Sequence, residues 1–169
     1  MPVATNQPSS RKYLPCLLTR LTDEQPFSET DEGYDHVYSP EQLKSDILLN
    51  MEMLLNSHTA PAETEYLTKK YPEVAASGYH YGIDSCAGNV VTAERSEIIA
   101  RRVRRAIELF EPRLDAEETH VVVRDDYSKH DKTAVHLDIF SRLAVRPLDQ
   151  EVFSRLRVDV ETGKTTMNQ

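Results

Sequence analysis

The spacing of the apolar residues changes once along this chain, at Pro112, and this change constrains the fold more than any other feature. Before Pro112, apolar residues recur every three or four positions, as they do along one face of an amphipathic helix. After it, they alternate with polar residues, as they do in a half-buried strand. Helices followed by strands predict an α+β fold, in which amphipathic helices pack on one face of a small antiparallel sheet.

Two long helices are predicted before Pro112. The segment 39–42 combines a capping serine, a proline suited to the first helical position and a capping-box glutamine, so it predicts a helix over about 40–55. Thr92 is the cap candidate of the second helix. That helix is expected to end near Phe110, because the residue before a proline avoids helical geometry.

Shorter segments lie around these helices. Residues 14–23 form a leucine-rich cluster that predicts one or two helical turns whose leucines dock on a core. An acidic loop is expected over 24–38, and a second, shorter helix over 63–70. Residues 73–89 hold most of the chain's five glycines and are expected to be irregular.

Three strands are predicted after Pro112, over 120–124, 135–139 and 156–160, with an extension of the second strand at 143 and 145. Residues 148–153 are expected to be a connection. In the last of these strands Arg157, Asp159 and Glu161 alternate with apolar residues. If that strand forms an exposed edge, these charges would keep it soluble until a partner strand arrives.

Length and termini suggest a simple domain plan. The chain has 169 residues, close to the roughly 150 of a typical single domain. We expect one domain over 13–161. The small polar residues of 1–12 predict a disordered N-terminal tail, and 162–169 are expected to be a frayed C-terminal tail.

Charge excludes two classes of partner. Lys and Arg number 20 against 28 Asp and Glu, which gives a net charge of −8, and a net anion is a poor general binder of nucleic acid or anionic membranes. No apolar run approaches the roughly 20 residues of a spanning helix, and residues 1–12 lack a signal-peptide core, so a cytosolic protein is expected. Cys16 and Cys86 are then expected to be free thiols, with a disulfide as the alternative.

Signals for catalysis are weak. The segment 163–165 reads Gly-Lys-Thr, but Val158 stands where a phosphate-binding loop needs a glycine. Carboxylates at 117–118 and 125–126 flank a strand and could supply the acid and base of a lysozyme-like peptidoglycan hydrolase, although the chain has no Trp to stack on sugar. No metal or cofactor is expected, because no histidine pairs with a second ligand at metal-binding spacing. The histidines are His36, His58, His80, His120, His130 and His136.

Four arginines crowd the second long helix: Arg101, Arg102, Arg104 and Arg105. They flank its apolar stripe. They could extend their aliphatic stems over the rim of a buried face, or they could form an interface for an acidic protein partner. The second alternative would make the protein a general adaptor that uses this helix.

The segment that joins this helix to the first strand carries Glu111, Pro112 and Arg113. The helix macrodipole disfavours an anion at a helix C-terminus, so Glu111 is expected to pair with a cation such as Arg113 or a partner residue. The planar guanidinium of Arg113 suits bidentate pairing, and the proline stiffens the junction. A structural corner and a functional site both fit these residues.

Phe110 to Leu114, after an Ile-rich amphipathic helix, resembles the Glu-Pro-Arg signature of the baseplate wedge family of contractile tails. Three more segments resemble family motifs in the same order. Residues 18–23 resemble its opening Phe-Asp-Arg-Leu-Thr-Asp, and 45–57 its Asp-Leu-x-x-Leu-Leu-Asn-Thr-Arg helix. Residues 71–84 resemble its Ala-x-Ser-Val-x-x-Tyr-Gly-Leu-Pro-Asp loop. The family includes the wedge subunit of bacterial type VI secretion systems.

The resemblance implies a structural subunit without enzymatic activity, whose fold is like the interlocking core of a sheath subunit. It implies a place in the cytoplasmic baseplate docked at the membrane, where the subunit templates the first ring of the contractile sheath. The implied partners are the wedge proteins TssF, TssG and TssK and the sheath subunits TssB and TssC. Together, the residues and the resemblance give these partner-binding candidates: Glu111, Pro112, Arg113, Arg101, Arg105, Arg157 and Asp159.

Overall fold

The structure is a computed structural model that describes residues 13–22, 26–27, 38–59, 66, 69–88, 90–124, 132–145, 148 and 150–168. The chain divides into two compact units, residues 1–46 and 47–169. The fold is α+β with an antiparallel sheet, as predicted. The plan of one wedge domain over 13–161 stays a prediction, and the tail 1–12 lies outside the described residues.

The first unit holds helix α1 (Leu17–Leu21) and the start of helix α2 (Pro40–Asn56). Helix α2 continues into the second unit. The Thr19 hydroxyl donates to Asp46 Oδ1 over 2.9 Å. The prediction that the leucines of this segment dock on a core is wrong, because this short helix buries no side chain and its described contacts are polar. The exposed leucines are Leu14, Leu17, Leu18 and Leu21.

The caps of the two long helices are confirmed. At the start of α2, the Gln42 amide donates to Ser39 Oγ over 3.2 Å, and the Ser39 amide donates to Gln42 Oε1 over 2.8 Å. Helix α4 (Ala93–Phe110) begins with Thr92, whose Oγ1 accepts from the Arg95 amide over 3.2 Å. Both helices therefore begin where local side-chain chemistry dictates.

Between the two helices lie short elements. Strand β1 (His58–Thr59) pairs in parallel with strand β2 (Ile83–Asp84). Helix α3 (Pro72–Ala75) and a 3-10 turn (Gly78–His80) occupy the stretch between them. The predicted helix over 63–70 lies mostly outside the described residues.

The main sheet has four antiparallel strands in the order β3–β4–β5–β6. Their bounds are His120–Val123, Ala134–Arg142, Glu151–Asp159 and Thr165–Asn168. Helix α4 packs against this sheet, and alternate residues of the central strands are buried beneath it. The opposite face carries Phe140 and Phe153, whose rings are 5.1 Å apart and partly exposed.

Two boundary predictions after Pro112 are wrong. Strand β5 begins at Glu151, inside the expected connection, and the expected frayed tail contains strand β6. A tight turn makes this hairpin possible: Asp159 Oδ1 accepts from the Glu161 and Thr162 amides over 3.0 and 2.9 Å. Gly163 supplies the positive φ of 75° that closes the turn.

Some predictions fall on segments that the structure describes only in part, and others can be compared with it directly. The acidic loop over 24–38 is described only at 26–27 and 38, and residues 125–131 lie outside the described part. The extension at 143 takes the form of an isolated bridge between Leu114 and Leu143. Cys16 and Cys86 are not joined in a disulfide, as predicted. Among the described helices, none combines the length and apolar character needed to cross a membrane.

Candidate partner-binding surface

The junction between helix α4 and the sheet forms a tight corner. The helix ends at Phe110, and the Glu111 amide still donates to the Ile107 carbonyl over 2.9 Å. The Leu114 amide then donates back to the Glu111 carbonyl over 3.1 Å, which closes a turn around Pro112. Proline therefore stops the helix where the sequence predicted, and the chain reverses within three residues.

Within this corner, Glu111 and Arg113 form a bidentate ion pair. Arg113 Nε donates to Glu111 Oε1 over 2.7 Å, and Arg113 Nη2 donates to Oε2 over 2.6 Å. The Arg113 amide adds a third bond to Oε1 over 3.2 Å. Glu111 is only 4% exposed, whereas the Arg113 side chain keeps 23% of its surface accessible. The carboxylate is therefore held inside while its cation reaches the surface.

Backbone bonds fix the corner to the end of strand β4. The Ala144 amide donates to the Arg113 carbonyl over 2.8 Å, and the Asp115 amide donates to the Arg142 carbonyl over the same distance. The bridge between Leu114 and Leu143 lies between them. The corner thus couples the end of helix α4 to the sheet without a flexible linker.

Tyr81 lies beside this corner. Its ring meets the Phe110 ring edge-on, with centroids 5.4 Å apart. Burial raises the pKa of the Tyr81 phenol, and the negative charge of Glu111 raises it further. The field of the buried carboxylate therefore acts on the loop that precedes helix α4.

Two of the four arginines of helix α4 form ion pairs with carboxylates, and two do not form one with a described residue. Arg102 bonds Asp84 Oδ2 over 3.1 Å, and Arg104 bonds Glu108 over 2.7 Å. Arg101 and Arg105 are exposed and have no ion-pair partner among the described residues. Two of these arginines therefore stabilise the fold. The other two, Arg101 and Arg105, are the ones that the sequence analysis proposed for partner binding.

Arg157 and Asp159 do not lie on an edge. Strand β5 is an interior strand between β4 and β6, so the expected edge position of these two residues is wrong. Their side chains pair with each other over 3.3 Å. Hydrogen bonds from Thr162 and, less strongly, from Glu161 and Arg157 lower the pKa of Asp159 below its ordinary value, so this side chain orders the turn after β5.

The outer strands of the main sheet are instead β3 and β6. The Arg124 amide donates to the His136 carbonyl over 2.9 Å. In an antiparallel pair, the backbone groups of every second residue face the partner strand, so those of Val122 also point to β4. The N–H and C=O groups of Val121 and Val123 therefore point away from the sheet. These backbone groups were missed by residue-type reasoning, because every strand carries them and only the strand order shows which ones face outward.

The other edge is partly closed by a side chain. Asn56, in the last turn of helix α2, donates from Nδ2 to the Thr165 carbonyl over 3.1 Å and accepts the Thr165 amide at Oδ1 over 2.9 Å. The carboxamide thus imitates one residue of a neighbouring strand. Strand β3 is left as the edge with the larger set of outward backbone groups.

The remaining chemistry is sparse. Glu117 and Glu118 are exposed, and the other acidic pair of the hydrolase alternative, 125–126, lies outside the described residues. Gly163 to Thr165 run from a turn into a strand and precede no described helix. Within the described part of the chain, no group of three His, Cys, Asp or Glu side chains is placed to hold a metal ion.

Comparison with known proteins identifies the family. A search of curated proteins and a search of solved structures each gave no significant match. The family model described as baseplate wedge protein gp25 matches residues 41–148, a stretch that includes the corner, helix α4 and strand β3. Because this match covers more than half of the chain, the chain belongs to the baseplate wedge protein gp25 family.

Proposed function

We propose that this protein is a wedge subunit of a bacterial type VI secretion baseplate, of the TssE type, and that it initiates polymerisation of the contractile sheath. The family is a structural component of baseplates in contractile injection systems. The observation that carries the proposal is that the family match spans both the ion-paired corner and edge strand β3. In this proposal the protein acts in the cytoplasm, where the baseplate docks at the membrane.

Strand β3 is the proposed template for the sheath. Val121 and Val123 direct N–H and C=O groups outward, and an extended segment of a sheath subunit can pair with them. Val122 is 52% exposed, so it offers the incoming strand an apolar contact on the face opposite helix α4. Backbone pairing supplies affinity, and such side chains supply specificity. The proposed partners at this edge are the sheath subunits TssB and TssC.

The corner is the proposed contact with the other wedge proteins, TssF, TssG and TssK. It joins helix α4 rigidly to the sheet, and Arg113 presents the accessible part of its guanidinium to a neighbour. The free cations Arg101 and Arg105 extend this charged surface along the helix. Arg157 and Asp159 lie outside the family match and belong to the proposal only as half-buried, mutually paired charges of the sheet face.

The experiment replaces both corner charges in the native host. In the double variant Glu111→Ala/Arg113→Ala, we expect fluorescent sheaths to disappear while the protein remains folded and abundant. The matched control is Arg104→Ala/Glu108→Ala, which removes an exposed ion pair of 2.7 Å from the same helix. Normal sheath assembly in the corner variant would show that the corner has no role in initiation. Loss of assembly in both variants would show only that the helix is sensitive to charge.

A further inference from the structure

The face of the main sheet opposite helix α4 carries an apolar patch. Phe140 on β4 and Phe153 on β5 are direct cross-strand partners, and their side chains are 45% and 37% exposed. Val122 on β3 pairs with Asp138, so it lies diagonal to Phe140 on the same face. A sheet face that meets only water normally carries polar residues, so three adjacent apolar side chains indicate a surface that a partner covers.

The charges around this patch leave one cation in excess. Three carboxylates of the face each pair with an arginine: Asp138 with Arg124 over 3.5 Å, Glu151 with Arg142 over 4.0 Å, and Asp159 with Arg157 over 3.3 Å. Arg155 is exposed and has no carboxylate partner among the described residues. The face is therefore locally cationic, although the whole chain has a net charge of −8.

Arg155 is held at the border of the apolar patch. Its guanidinium carbon lies 5.5 Å from the centroid of the Phe153 ring, within the range of a cation–π contact. That contact is made by the delocalised charge and consumes none of the five N–H donors of the guanidinium. These donors can bind a carboxylate in bidentate geometry. The complementary ligand therefore combines apolar side chains with an adjacent Asp or Glu.

The position of the patch favours a helix as the partner. Strands β4 and β5 are interior strands, so their backbone groups are used within the sheet and the face offers only side chains. A segment lying on this face must satisfy its own backbone groups, as a helix does. The diagonal from Val122 to Phe153 spans roughly 12 Å, close to the rise of eight helical residues. Apolar residues at i, i+4 and i+8 of one helix face match it.

We propose that this face binds an amphipathic helix of a neighbouring baseplate protein. Apolar residues of that helix cover Val122, Phe140 and Phe153, and an Asp or Glu beside them pairs with Arg155. The sheet then lies between two helical layers, with α4 on its other side. The proposal rests on the proposed function, because it takes the partner from the baseplate. It is distinct from strand pairing at β3, which uses the backbone groups of an edge.

The first experiment identifies the partner segment in the native host. The photo-crosslinking residue p-benzoylphenylalanine replaces Phe153 in the full chain, which keeps an aromatic ring at this position. After irradiation, mass spectrometry should find a crosslink to a baseplate protein, in a segment with apolar residues at helical spacing and an Asp or Glu on the same face. The same residue in place of Tyr79, which is 84% exposed and lies outside the sheet, should not crosslink to that segment.

The second experiment measures binding of a fluorescein-labelled peptide of that segment to the purified full chain by fluorescence anisotropy. Phe140→Thr/Phe153→Thr should lower the affinity at least tenfold, and threonine is chosen because it suits a strand. Arg155→Glu should cause a loss of similar size. The matched control is Arg95→Glu, which makes the same change of net charge at an exposed position on helix α4 and should change the affinity less than twofold.

A double-mutant cycle tests the ion pair itself. Arg155→Gln and the replacement of the peptide's Asp or Glu by Asn or Gln should each lower the affinity, and the two losses should not add. Additive losses, equal effects of Arg155→Glu and Arg95→Glu, or full affinity of the double-threonine variant would overturn the proposal. A lower Tm of that variant with unchanged affinity would show that the two rings serve only the pairing of β4 with β5.

The crosslinking result also separates this proposal from the proposed function. A crosslink to a second copy of this chain would overturn the proposed partner. No crosslink from position 153 in cells that build normal sheaths would overturn the helix-binding face and leave the proposed function intact. A crosslink to an acidic helix of a protein outside the baseplate would contradict both the proposed function and the choice of partner.

Discussion

Removing Arg113 should destabilise the protein more than removing Glu111, although both substitutions break the same ion pair. In Arg113→Ala, the Glu111 carboxylate, which is 4% exposed in the native protein, loses both guanidinium bonds and keeps the bond from the backbone amide of residue 113. Breaking a buried pair in this way costs about 3–5 kcal/mol, and the partial exposure of Arg113 places the expected loss near 3 kcal/mol. For a chain of this length, that loss lowers Tm by about 6–12 °C.

The reverse substitution leaves a charge that can reach water. In Glu111→Ala, the Arg113 side chain is already 23% accessible, so we expect a loss of about 1.5 kcal/mol, mainly from the charge-assisted hydrogen bonds. The double variant should lose about 2 kcal/mol, because neither charge is left buried without its partner. The coupling between the two sites is then about 2.5 kcal/mol, which is within the range of contacting residues.

Urea denaturation followed by far-UV circular dichroism measures all four proteins of this cycle. The chain has no Trp, so tryptophan fluorescence offers no signal. Glu111→Gln serves as the isosteric control, since it removes the charge and keeps the shape. A coupling energy below about 0.5 kcal/mol, or a smaller loss for Arg113→Ala than for Glu111→Ala, would refute the buried-carboxylate argument.

Two further outcomes can be tested on the purified protein. Gly82→Ala should lower the free energy of unfolding by at least about 2 kcal/mol, because φ is positive at this residue and the added Cβ meets the Ser57 carbonyl. Thermal unfolding measures this loss. Gly88→Ala is the control for backbone strain alone, since Gly88 also has a positive φ but its added Cβ would meet no atom within 4 Å. Burial is the main cause that raises the pKa of the Cys86 thiol in the folded protein. The buried neutral thiol therefore contributes its full stabilisation below the thiol pKa of the unfolded chain, and this stabilisation is lost as pH rises through the thiol pKa of the folded protein. Cys86→Ala should therefore flatten the decline of Tm between pH 8 and pH 10, about the range of thiol ionisation, and an unchanged slope would contradict this assignment.

Local signals in the sequence were sufficient for the elements that local chemistry determines. The capping box at Ser39 and Gln42, the cap at Thr92 and the stop before Pro112 all lie within a few residues of the boundaries they set. The α+β class followed from the change of period at the same proline. The corner was also located, although the sequence left both a structural and a functional interpretation open.

Long-range contacts explain what the sequence did not reveal. Strand β6 has a short, polar sequence, and its outward carbonyl is bonded by Asn56, which lies 109 residues away. His80 was one of six histidines without a local partner, and its burial depends on the packing of the 3-10 turn. The leucines of helix α1 were expected inside because of their residue type, yet their exposure depends on which face of a five-residue helix meets other chain segments.

The Asn56 contact also bears on the order in which the sheet is completed. Joining residues 109 positions apart requires closing a long loop, and its entropic cost is met only after many other contacts have formed. We therefore expect the contact between Asn56 and β6 to be a late folding event, whereas β6 pairs with β5 locally through the tight turn after Asp159. Until the Asn56 contact forms, the Thr165 amide and carbonyl on the outer side of β6 are not bonded by Asn56. A newly made chain therefore passes through a state in which both outer strands, β3 and β6, can pair with a strand of another molecule. Protection of the β6 edge against such pairing is gained only late in folding.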